Sequence, residues 1–195
     1  MKRHRLGLAL LALGAVFLLA SCVPESRHPL VEPDRAAADP RLAGLWVAKQ
    51  ENQVLYAHFL PRRDRPMDVV LVSEQNDGGG GYGVLSLTPS RIGDERYLSA
   101  RFLVDDGRVV ADDEATYHLL RYRISDDGAL TVWAMSEEAV VEDIRQGRIE
   151  GEPKAGRWTD SALLTADTDA LVAYVGAADP TRVFNALFAT FRRLE

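Results

Sequence analysis

The chain has 195 residues, 47% of them hydrophobic and 27% charged, with a formal net charge of −6. This composition excludes a disordered, collagen-like or coiled-coil chain, and the single cysteine excludes a disulfide framework or a thiolate metal cage. The length fits one domain.

Lys2, Arg3 and Arg5 precede an unbroken apolar run from Leu6 to Ala20. A membrane-spanning helix needs about 20 apolar residues. A run of 15 behind a basic start has instead the length and flanks of a secretory signal. It ends in Leu19-Ala20-Ser21-Cys22, which resembles a bacterial lipobox. The resemblance implies that residues 1–21 are a lipoprotein signal peptide. It also implies that the Cys22 sulfur receives a diacylglyceryl group, and that its amine is acylated after cleavage. Several acyl chains give a stable anchor, since each buried methylene contributes about 0.8 kcal/mol. The only cysteine falling at this position also suits an oxidising envelope compartment. In enteric bacteria an aspartate after the cysteine favours the inner membrane. Val23 therefore points to the outer membrane of a bacterial cell envelope, with the body facing the periplasm. Loss of residues 1–21 removes three basic residues and no acidic one, taking the charge from −6 to −9. Phosphates repel so acidic a body, so nucleic acid is not an expected partner and the anchor must do the membrane work.

Residues 22–40 contain Pro24, Pro29, Pro33 and Pro40. Proline denies a chain the helix interior, so this stretch reads as a lipidated spacer, with His28 solvated. As a coil it would span about 25 Å. Residues 41–195 read as a single β-rich globular domain, large enough to bury about 70% of its unfolded surface.

The first two thirds of that body predict strands: Gly44 to Ala48, Val54 to Leu60, Met67 to Val72, Tyr82 to Leu87 and Arg96 to Val104. Asn76 to Gly81 makes a hairpin tip, and Asp105-Asp106-Gly107 a turn. Tyr117 to Ile124 and Ala129 to Met135 form the clearest hairpin, around Asp126-Asp127-Gly128. Leu120, Tyr122 and Ile124 alternate there with Arg121 and Arg123, the period of a half-buried strand.

The last third changes to helical spacing. Ser136 is a good N-cap for a helix through Val140, Val141 and Ile144, with Glu137 and Glu138 at its positive end and Gly147 as its stop. A second helix follows Thr165, with Leu171, Val172 and Val175 inward. Asp179-Pro180 starts a further turn, and Ala189 to Leu194 closes the chain as a strand. The expected class is α+β, mainly β: a strongly curved antiparallel sheet or small β-barrel with two short helices late in the chain.

Gly44-x-Trp46 at the start of the first predicted strand of the body resembles the opening of the lipocalin and calycin barrels. The resemblance implies that Trp46 plugs a closed end and that Arg192 or Arg193 packs over it. The lipobox, His28-Pro29-Leu30, Asp39 to Trp46 and Ile144 to Gly151 together resemble uncharacterised bacterial lipoproteins, which brings no activity with it.

Chemistry-bearing patterns are sparse. His28, His58 and His118 lack a ligand partner at helical spacing, so no metal is expected. Neither is any cofactor. Gly78 to Gly81 lacks the lysine and following helix of a phosphate cradle. The clusters Asp105-Asp106, Asp112-Asp113-Glu114 and Asp126-Asp127 lack EF-hand spacing and read as solvated turns. Trp46, Tyr56, Tyr122 and Trp133, with His58 and His118, are the candidate lining of a cavity. The leading expectation is a non-catalytic binding module for a small apolar ligand or an envelope protein. One alternative is an envelope hydrolase using His118 or His58 with a nearby carboxylate, although no Gly-x-Ser-x-Gly elbow supplies a nucleophile. The other is a structural or assembly role.

Overall fold

The computed structural model describes residues 23–63, 67–154 and 161–194. Cys22 and the segment before it lie outside these residues. A short strand, β1 (Glu25–Ser26), comes first. The barrel then begins with β2 (Gly44–Lys49), β3 (Gln53–Pro61), β4 (Met67–Gln75), β5 (Gly80–Ile92) and β6 (Glu95–Asp105). After the two-residue β7 (Arg108–Val109) it continues with β8 (Tyr117–Ile124) and β9 (Leu130–Ala134). An insertion follows: α1 (Glu137–Arg145), β10 (Gly151–Lys154), β11 (Ser161–Leu164), α2 (Thr168–Ala177) and α3 (Pro180–Val183). The last strand is β12 (Ala186–Arg193).

Each barrel strand pairs antiparallel with the next one along the chain, β6 reaching β8 directly. β12 pairs with β9 on one side and β2 on the other, which closes an eight-stranded up-and-down barrel. Closure removes the free edges that an open sheet of this size would expose. The predicted β-rich class is therefore the observed one, with a closed barrel and three helices late in the chain.

Period-two patterning sets what each strand buries. Leu55, Ala57 and Phe59 of β3, Val69 of β4, Leu85 and Leu87 of β5, and Leu98 and Ala100 of β6 face inward, with Tyr122, Val132 and Phe191 from the later strands. A second core lies outside the barrel wall. Tyr97, Leu119 and the half-buried Trp133 form its floor, and the helical insertion covers them with Val140, Leu171, Tyr174, Val175 and Phe184. The caps follow the local sequence. Ser136 accepts from the Ala139 amide, Asp167 from Ala170 and Asp179 from Thr181. In α2, Tyr174 is buried beside Leu171 and Val175, and Val172 is only half-buried. No helix among the described residues is long and apolar enough to cross a membrane.

The proline-rich stretch departs from a free spacer. β1 inserts between β8 and β11, pairing Glu25 with His118 and with Leu163. The Leu30 amide donates to the buried Ser99 hydroxyl at 2.9 Å, and Leu30 itself is buried. Thr168 Oγ1 donates to the Pro29 carbonyl. The segment after residue 22 is thus sewn onto the body, because a few well-spaced apolar residues and main-chain bonds suffice where prolines merely preset an extended chain. His28 stays exposed, as expected.

Candidate functional site

The barrel has one sealed end and one open end. At the sealed end Trp46 is buried and its indole N–H donates to the Leu42 carbonyl at 2.7 Å. Arg193 lies over the indole with its guanidinium carbon 4.5 Å from the ring centroid, and it donates to the carbonyls of Ala43 and Arg41. Gly44 has φ of +116°, and a Cβ there would meet the Arg193 guanidinium at 2.9 Å, so the position needs glycine twice over. Arg193, not Arg192, is the packing arginine; Arg192 instead grips Asp127 in the β8–β9 turn.

Beside this plug, Tyr122 sends its hydroxyl out of the barrel floor to Asp39 at 2.8 Å. Arg41 holds the same carboxylate through Nε and Nη2, at 3.0 and 2.6 Å. Those arginine bonds, opposed by burial and aided by Tyr122, lower the Asp39 carboxyl to a pKa of about 2. Burial, with the Asp39 bond, raises the Tyr122 phenol above its usual range. Trp46, Tyr122 and Asp39 each have a hydrogen-bond partner at this floor.

Above the floor the inward side chains stop short of filling the barrel. They leave a cavity of about 150 Å³ lined almost wholly by apolar groups, among them Leu55, Phe59, Leu85, Ala100, Phe102 and Phe188. Cavities of roughly this size with aliphatic and aromatic walls stay dry and take up molecules the size of benzene. The polar lining side chains are Gln53, Tyr82, Asp105 and His118, all at the open end, where Val23 also contributes. The His118 ring stands edge-on to Phe102, centroids 5.8 Å apart. Burial at the mouth pushes the Asp105 carboxyl up, offset in part by Arg108 and His118.

A β-bulge puts Asp105 into this mouth. Val84 pairs with Val104 but Leu85 pairs with Phe102, so β6 carries one extra residue, Leu103. The extra residue reverses the in–out parity beyond it. Without it Val104 would face inward and Asp105 outward. The turn that follows is a tight hairpin, with φ of +45° at Asp106 and +82° at Gly107.

The candidate lining residues separate into three groups. His118 lines the cavity near its mouth. Trp46 and Tyr122 are inside the barrel but belong to the sealed floor. Tyr56, His58 and Trp133 do not line the cavity, because strand parity turns them outward. His58 and Tyr56 oppose the inward Leu55 and Ala57, and His58 is exposed. Trp133 packs in the outer core beneath Arg121, whose guanidinium carbon is 4.5 Å from the ring centroid. Its neighbours there come from the helical insertion.

Gln53, Phe102, Asp105 and Phe188 are lining residues that the sequence did not single out. Phe102 alternates with Leu98 and Ala100, a signal that was present; the bulge that recruits Asp105 leaves none. Among the described residues, no serine, threonine or cysteine lines the cavity beside His118. No cluster of three metal-ligating side chains occurs among the described residues. The acidic clusters meet arginines instead: Asp112 bonds Arg101 and Glu114 bonds Arg108, both at 3.0 Å.

The eight-stranded antiparallel barrel is consistent with the calycin-like body that the Gly-x-Trp opening implies. Set against known proteins, the chain matches no protein-family model, no curated protein and no solved structure.

Proposed function

We propose that this chain is a lipid-anchored envelope protein, acylated at Cys22, whose barrel is a non-catalytic carrier or sensor of a small apolar ligand. The observation that carries the reading is the apolar cavity of about 150 Å³, sealed at one end by Trp46 and Arg193 and open at the other. Removing such a surface from water favours an apolar guest by about 25 cal/mol per Å² buried. Polar groups confined to the mouth fit a site that orients its guest without reacting with it. The anchor fits the same picture. Val23 lines the mouth, so acyl chains on the preceding residue would hold the open end beside the bilayer, where apolar guests concentrate.

The test is native mass spectrometry of the purified chain, kept free of detergent, after exposure to bacterial lipid extracts. The expected result is a bound small apolar molecule that Ala100→Leu displaces. A bare mass under every condition would sink the proposal.

A further inference from the structure

The chemistry of the cavity mouth restricts what the head of a guest can be. Among the described residues, the cavity-lining side chains carry one formal charge, the carboxylate of Asp105, and include no lysine or arginine. Gln53 adds an oriented acceptor. Its amide nitrogen donates to Gln50 Oε1 at 2.6 Å, which fixes the amide, while its own Oε1 is buried with no hydrogen-bond partner. A buried acceptor left unpaired costs about 1–3 kcal/mol, which a donor on the guest would recover. Loops around this end add Glu51, Asp77 and Asp106. At the strand ends around the mouth Lys49 closes β2 and Arg108 opens β7, and Arg108 is engaged with Glu114. His118 is the one lining group that can become cationic, and Asp105 faces it across the same mouth.

We propose that the cavity selects an uncharged amphiphile whose head donates hydrogen bonds, an alcohol or primary amide on a short apolar tail, and discriminates against carboxylates. A small shift of the Gln53 side chain, whose Oε1 is closed to solvent in the empty barrel, lets the alcohol hydroxyl donate to that oxygen while the tail occupies the space between Ala100 and Leu55. A carboxylate in the same pose brings a second negative charge beside Asp105, offers no donor to Gln53 and meets no lysine or arginine among the described lining residues. This inference rests on the ligand-binding reading above and goes further by naming the head group.

The experiment compares three probes by NMR titration of the purified chain at neutral pH: benzene, 1-hexanol and hexanoate. Benzene tests the cavity alone; the other two test the head. Hexanol is expected to bind at least about tenfold more tightly than hexanoate. Asp105→Asn should narrow that gap to about threefold by improving hexanoate. Gln53→Leu should weaken hexanol by about three- to tenfold, the loss of one hydrogen bond, and leave benzene unchanged. Benzene binding in each variant also shows that the barrel is intact. If hexanoate equals hexanol, or if neither substitution alters the preference while benzene still binds, the head-group proposal is overturned and the cavity reading survives. If none of the three binds, both fall.

Discussion

Arg193 covers the face of Trp46 at 4.5 Å from near the end of the last strand, while the indole is tied to Leu42 from behind. This joins the first barrel strand to the last through a stacked cation, two carbonyls and a buried ring. Replacing Trp46 by alanine should cost about 3–5 kcal/mol through the lost ring and the cavity it leaves. Arg193→Ala should cost less, about 1–2 kcal/mol, since its stacking is partly in water. Gly44→Ala should rank with Arg193→Ala, because it strains the backbone and displaces the same guanidinium. Urea unfolding midpoints of the three variants check the order; a neutral Gly44→Ala would show that Arg193 does not need to lie where it does.

Asp143 is the second joint. It is fully buried on α1 and receives Arg148 Nε at 2.9 Å, the Tyr174 hydroxyl at 2.6 Å and the Arg182 guanidinium, one partner each from the loop after α1, α2 and α3. Asp143→Ala leaves two guanidinium groups converging without a counter-ion. The expected loss is about 3 kcal/mol. Unfolding should become less cooperative, as the helical insertion loosens before the barrel does. Hydrogen exchange that stays uniform across helices and barrel in the variant would contradict this.

Acid should attack Asp143 and the Asp39 carboxylate beside the Trp46 plug. Burial alone would raise the Asp143 carboxyl, but hydrogen bonds from Arg182, Tyr174 and Arg148 hold it below its ordinary value. Asp39, held chiefly by Arg41, lies at about 2. Both folded-state values lie below the unfolded value of about 3.9. The two carboxylates therefore contribute fully above that pH, and their contribution is lost as pH falls through the folded values. Stability measured by urea titration should drop between about pH 4 and pH 2. The drop should be shallower in Asp39→Asn and Asp143→Asn, whose stability at neutral pH is already reduced.

Filling the cavity should separate binding from folding. Ala100 is buried on β6 and lines the empty space. Leucine there adds three carbons where room exists, so stability should hold or rise by up to about 2 kcal/mol. Uptake of benzene or hexanol should disappear. A loss of stability like that of an overpacked core, about 1–3 kcal/mol by urea unfolding, would mean that the space is already used by neighbouring side chains.

Cys22→Ser should move the protein from the membrane fraction to the soluble fraction of cells, and should remove the mass added by acyl chains. An unchanged sedimentation of the variant would refute acylation as the anchor.

The alternation of Leu120, Tyr122 and Ile124 with Arg121 and Arg123, and the cap-and-stop signals at Ser136 and Gly147, placed β8 and α1 correctly because those signals are local. Four features were not legible for physical reasons. Trp133 sits in a run that is apolar on both faces, since the helical insertion covers the outer one, and such a run does not reveal which face is inside. The parity of Tyr56 and His58 was equally ambiguous between Leu55 and Leu60. Asp105 enters the cavity through an extra residue in β6, and that register is set by its pairing with β5. The docking of residues 23–30 depends on Ser99, His118 and Leu163, which lie far along the chain.

The bond from Arg193 to Ala43 joins residues 150 positions apart, and β12 fills the gap between β9 and β2. Until β12 docks, the barrel has two raw edges and no stopper for its base. Closure thus waits for β12, and long loop closures of this kind are slow.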